Sequence, residues 1–214
     1  MIPVLIIGKS GAGKSASLRN LPGDDTVIVN VLGKPLPFRS DLTVIQCSDY
    51  GKIVGSIRRG NFQRCVIDDA GYLITNQFMT KHAETGAGNA VYALYNQMAD
   101  NFWSLIRCIQ EAPGSARVYV IMHEDVEDNG NVKPKTIGRL LDEKVCLEGM
   151  FTICLRAVIS SGKHVFRTQS DGFDVAKSPM GMFDSEEIDN DLSAVDAAIC
   201  EYYGIKEDGG NEKT

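Results

Sequence analysis

With 214 residues, 43% of them hydrophobic and 23% charged, the chain has the size and composition of one globular domain that buries a core without staples. A formal charge of −6 excludes a protein that coats duplex DNA by bulk positive charge. No apolar run approaches the roughly 18 residues of a membrane span, and six scattered cysteines without a C-x-x-C pair, most in apolar runs, predict buried free thiols and a cytosolic protein.

The apolar run Ile2-Pro3-Val4-Leu5-Ile6-Ile7 predicts a buried strand and leads straight into Gly8-Lys9-Ser10-Gly11-Ala12-Gly13-Lys14-Ser15, with no leader-like segment before it. This is the G-x-x-x-x-G-K-[ST] spacing of a Walker A phosphate loop. Small residues let a backbone wrap an oxyanion with its N–H groups pointing inward. A helix expected from near Gly13 would turn its positive end to the same phosphates. On this reading Gly8 through Ala16 bind a nucleotide such as ATP. Lys14 reaches the β- and γ-phosphates, and the Ser15 hydroxyl takes a place on Mg²⁺.

Residues 26–31 predict a second strand, rich in β-branched side chains. Pro35 and Pro37 lack ladder donors, so residues 33–39 cannot continue a central strand. Residues 43–47 read as a third strand, after which Ser48-Asp49 caps a helix through about residue 59. Residues 62–69 are a β-rich run ending in Asp68-Asp69, the form of a Walker B strand. In an open parallel sheet, ligands sit at the carboxyl ends of strands. There Asp68 would hold a water on Mg²⁺, and Asp69 would orient or deprotonate the attacking water. Two acids before Ala70-Gly71-Tyr72 also suit a helix start, and for Asp69 both readings stay open.

Residues 80–89 are polar and glycine-bearing, a predicted mobile loop. Residues 90–112 have helical spacing, with Val91, Leu94, Tyr95, Met98, Phe102, Leu105, Ile106 and Ile109 on one face and Trp103 flanking it. Residues 117–122 predict a strand ending in His123-Glu124. If that strand neighbours the acid-bearing one, His123 senses the γ-phosphate or the attacking water; otherwise it is a surface histidine. A long polar loop is expected over residues 125–136, and two strands over 150–159 and 164–168 joined as a hairpin at Ser160-Ser161-Gly162-Lys163. An acidic segment at residues 184–187 precedes a terminal helix over 192–203 with Val195, Ile199 and Tyr202 facing inward. Residues 206–214 read as a disordered tail, leaving 1–205 as one domain. The alternation predicts an α/β P-loop NTPase: a mostly parallel sheet flanked by helices, with an antiparallel edge hairpin.

Four segments together resemble a RecA-like group of bacteriophage ATP-binding proteins related to phage single-strand-annealing ATPases. They are the strand-linked phosphate loop, Val66-Ile67-Asp68-Asp69, Met122-His123-Glu124 with the run Lys133-Pro134-Lys135-Thr136-Ile137-Gly138-Arg139, and residues 171–183. The resemblance implies ATP and Mg²⁺ as cofactors, a homo-oligomer, and single-stranded DNA or a phage replication or recombination protein as partner, in the host cytoplasm and away from membranes. It implies that residues 81–89 and 124–139 approach DNA, and that Lys133, Lys135, Arg139 or Lys177 reaches across to a neighbouring γ-phosphate. RecA-like cores carry a catalytic glutamate near the end of the strand after the first helix, whereas residues 29–33 hold no acid. Either Asp69 does that work or hydrolysis is slow.

The leading expectation is therefore an ATP-dependent recombination or annealing protein. The alternatives are an ATP-gated switch resembling a helicase loader, and a partitioning-type ATPase, whose second loop lysine Lys9 would match although Ser10 replaces a glycine. A small-molecule kinase would need an arginine-rich lid, and only Arg139, Arg156 and Arg167 are available.

Overall fold

A computed structural model describes residues 1–86 and 88–206. In chain order the elements are β1 (Ile2–Gly8), β2 (Thr26–Asn30), β3 (Thr43–Gln46), α1 (Tyr50–Arg59), β4 (Arg64–Asp68), α2 (Gly71–Lys81), α3 (Asn89–Glu111), β5 (Arg117–Val126), β6 (Val132–Pro134), β7 (Ile153–Ser160), β8 (Lys163–Arg167), β9 (Glu187–Asp189) and α4 (Leu192–Tyr203). The strands form one sheet in the order β3-β2-β4-β5-β1-β7-β8-β9, with β6 paired to β5. From β3 to β7 every neighbour is parallel, while β8 and β9 add on antiparallel.

Parallel strands covered on both faces need apolar side chains on both, and β1 supplies them. Leu5 and Ile7 face α1, α2 and α3 in one core, and Val4 and Ile6 face α4 in the other. The long helix α3 buries Leu94, Met98, Phe102, Leu105, Ile106 and Ile109 against the first core, as its spacing predicts. Trp103 lies outside that stripe, half-exposed with the Arg107 guanidinium over its ring. The β7–β8 hairpin turns at Ser161 and Gly162, both at positive φ, as a two-residue loop requires.

Four expectations are corrected. The helix after the phosphate loop is a six-residue 3-10 helix, Ser15–Asn20. Pro22 forces Leu21 into an extended conformation (ψ 137°), which stops the helix after two turns and leaves little dipole. Residues 125–136 are no open loop: β5 continues to Val126 and pairs with β6 across Asn129-Gly130. Tyr202 is 44% exposed, stacked edge-on against Tyr203, because one turn past Ile199 the helix has run beyond the core. Of the cysteines, Cys65, Cys154 and Cys200 are buried, Cys47 and Cys108 are half-buried, and Cys146 is exposed. Of the tail expected to be disordered, residues 207–214 lie outside the described residues, as does Ala87 in the segment expected to be mobile.

Candidate nucleotide site

The sheet order places the site. β5 lies between β1 and β4, so the phosphate loop leaving β1 and the acids ending β4 flank the end of β5. In register, His123 sits opposite Gly8, and Asp68 sits opposite Asn30 on the other side. Ser10, Gly11, Gly13, Lys14, Ser15, Ala16, Asp68, Asp69 and His123 line one cavity of about 400 Å³. Gly8, Lys9 and Ala12 contribute backbone instead. The Lys14 ammonium donates to the Gly8 carbonyl at 2.7 Å and the Lys9 carbonyl at 2.8 Å, and the Ala12 carbonyl accepts from His164 Nδ1 at 3.0 Å. The Lys9 side chain lines a separate cleft with Glu124 and Arg156. A larger cleft of about 450 Å³ lies between β6 and residues 141–148 and 172–175, without the loop or its acids.

Buried charge dominates the cavity. Burial lowers the Lys14 pKa, against the pull of Asp69, Asp68 and Glu124. Burial raises that of Asp68, with Asp69 adding to the shift. The Ser15 hydroxyl donates to Asp68 Oδ1 at 3.1 Å, so a hydroxyl and a carboxylate converge as hard oxygen donors. This donor set fits Mg²⁺, and a buried ammonium held only by carbonyls fits an anion. Asp69 adopts φ +58°, uncommon for a residue with a side chain. Its carboxylate pairs with Lys34 Nζ at 2.5 Å and faces His123 Nε2 at 3.6 Å. Asp68 and Asp69 are not helix caps: α2 begins after Ala70 with no side-chain cap. Burial, then Lys14, lowers the His123 pKa, which keeps its imidazole neutral at neutral pH.

Other expected residues lie elsewhere. Lys133 is held by Glu127 and Asp142, each at 3.0 Å. Arg156 makes a two-pronged bond to Glu124 at 2.9 and 3.0 Å, and Arg167 pairs with Asp171 and Glu187, so neither forms a lid over the cavity. Lys177 exchanges backbone bonds with Cys154 beside β7. Arg139 is 92% exposed beside Glu143.

Sequence reasoning missed Lys34, Pro35, Pro37 and His164, which also line the cavity. The first three follow the carboxyl end of β2, where ligand-facing loops belong. His164 arrives through the β7–β8 hairpin and carries no local signal.

A phosphate loop leaving the central strand, paired acids two strands away and a polar strand end between them define a P-loop nucleoside triphosphatase. The family described as AAA domain matches residues 2–180, and the chain belongs to it. No curated protein matches the chain. Membership in this ATPase family brings nucleotide binding with it. Among the described residues no helix is long and apolar enough to cross a membrane.

Proposed function

We propose that the protein is a Mg²⁺-dependent ATPase of bacteriophage DNA metabolism, acting as an oligomer in recombination or single-strand annealing. The convergence of Lys14, the Ser15–Asp68 pair, Asp69 and His123 on one cavity carries the ATPase reading. Lys14 exchanges its two carbonyl partners for the β- and γ-phosphates. Among the described residues no group of three or more His, Cys, Asp or Glu side chains is arranged to hold a metal. Ser15 and Asp68 would therefore share Mg²⁺ with the phosphates, the usual way this ion is bound. When bound, Mg²⁺ neutralises charge on the transferring phosphoryl group. Asp69 takes the proton of the attacking water as the water oxygen bonds to the γ-phosphorus. The bond from that phosphorus to the β–γ bridging oxygen breaks, releasing ADP and phosphate. Neutral His123 hydrogen-bonds the γ-phosphate and reports its loss.

The DNA half rests on the family resemblance and on the polar segments 81–89 and 124–139, the first joining α2 to α3 and the second packed on α3 through Gly138. The ring of Tyr95, early in α3, stacks on Phe78 near the end of α2 at 5.7 Å and lies against Gly138, just after the β5–β6 hairpin. Exposed Lys135 and Arg139 follow that hairpin and are the cations available for a neighbouring subunit or a DNA phosphate. Fluorescence anisotropy with single-stranded oligonucleotides, with and without ATP–Mg²⁺, tests this. Binding that depends on ATP supports it, and no binding in either condition removes the DNA half.

A second reading, an ATP-gated switch that presents a surface to a partner protein, is favoured by the hairpin's charge. Asp125, Glu127 and Asp128 lie on it, and Lys133 is already neutralised there. Tight ATP binding with phosphate release near background would select the switch.

A further inference from the structure

Asn30 ends β2 close to where RecA-like cores carry their catalytic glutamate, and its side chain is used for something else. Its Oδ1 accepts the Gly33 N–H at 2.7 Å and its Nδ2 donates to the Lys34 carbonyl at 2.6 Å, with the residue 4% exposed. Gly33 has φ +69°, a backbone conformation that strains a residue carrying a Cβ, so the turn favours glycine. Pro35 follows with its own φ fixed. This braced turn delivers Lys34 into the phosphate-loop cavity, where its ammonium lies 2.5 Å from Asp69 Oδ2.

Two features make that contact a resting position. The Lys34 side chain is more than half exposed, so its pair with Asp69 is of the screened, exchangeable kind. Lys34 also stands in one cavity with Lys14, whose charge it disfavours less than Asp69, Asp68 and Glu124 favour it. Two lysines facing a single small cavity can both donate charge-assisted hydrogen bonds to an anion of high charge that enters it.

We propose that Lys34 is a second, cis-acting cation for the γ-phosphate: at rest Asp69 holds its ammonium, and a bound nucleoside triphosphate takes it over. The proposal rests on the nucleotide reading of the cavity given above. Transfer of Lys34 frees Asp69 to meet the attacking water only when there is a γ-phosphate to attack. A diphosphate leaves Lys34 where it is. The site therefore needs no acid at the end of β2, because Asn30 has become the positioning residue for this lysine.

Binding of fluorescent ADP and of a non-hydrolysable fluorescent ATP analogue, both with Mg²⁺, to the full chain tests this. Lys34→Ala is expected to lose roughly tenfold in triphosphate affinity, the worth of one charge-assisted hydrogen bond, while ADP affinity stays within about twofold. Lys34→Arg should restore most of the difference, since it keeps the charge. Asn30→Ala should shift the same ratio by a smaller factor, with melting curves of the unliganded variants confirming that they are folded. A triphosphate-to-diphosphate ratio unchanged in folded Lys34→Ala overturns the proposal, as does an equal loss for both nucleotides. If the unmodified protein binds neither nucleotide, it is the ATPase reading itself that fails.

Discussion

Lys14 and Asp68 are charged against the preference of their surroundings. Burial lowers the lysine's hold on its proton and raises that of the aspartate, and each shift would be relieved by the opposite charges of a triphosphate and its metal. Lys14→Ala should therefore abolish ATP binding in calorimetry, because the loop loses its only buried cation. Asp68→Asn should keep much of the nucleotide affinity and lose Mg²⁺-dependent phosphate release. Unchanged release in that variant would remove the metal assignment. His123 gives a pH prediction. Its folded pKa lies below the ordinary 6.5, first through burial and then through Lys14. Between those two values the unfolded chain binds the extra proton, so this residue's contribution to stability is present above pH 6.5 and is lost as pH falls towards the folded pKa. The NMR titration midpoint of His123 should lie below 6.5 and rise in Lys14→Ala.

At the scale of elements, α1 shows what local chemistry determines. Asp49 Oδ1 accepts the Lys52 N–H at 2.9 Å, and Gly60 closes the other end at φ +63°. Asp49→Ala should cost about 1 kcal/mol in urea unfolding, and a null effect would mean the helix start is held by something else. Such elements were legible because their signals lie within a few residues: the cap of α1, the stripe of α3, the apolar run of β1, the acids ending β4. The β5–β6 hairpin carries a turn signal at Asn129-Gly130, but its return strand is only three residues long, too short for a pattern to mark it. Pro22 marks where the helix after the phosphate loop stops, whereas its 3-10 winding has no signature of its own in Ser15–Asn20. Lys34 and His164 were out of reach for another reason. Their positions depend on which strands lie beside β2 and β1, and sheet order is a long-range property that no local window contains.

The whole molecule is held at the edge of the sheet opposite the site. Arg64 and Arg117 open β4 and β5, stand opposite each other in register, and both reach Asp196 of α4. Arg64 Nε donates to Asp196 at 2.6 Å, Arg117 donates twice at 2.8 Å, and the Tyr119 hydroxyl donates as well. The terminal helix thus binds two central strands at their amino ends, roughly 13 Å of strand away from Asp68 at the other end of β4. Burial alone would raise the Asp196 pKa, but the hydrogen bonds from Arg117, Tyr119 and Arg64 more than reverse it, leaving it below the ordinary 3.8. A carboxylate of this kind contributes stability that is full above its unfolded value and is lost as pH falls through its folded one. Asp196→Ala removes a buried carboxylate from between two guanidinium groups and should cost about 3–5 kcal/mol at neutral pH. The gap between the two proteins should hold down to about pH 3.8 and narrow below it, where only the unmodified protein still has this group to protonate. Urea unfolding at a series of pH values measures both quantities. A gap that stays constant into acid would show that packing of α4, and not the charge of Asp196, ties the amino ends of β4 and β5 together.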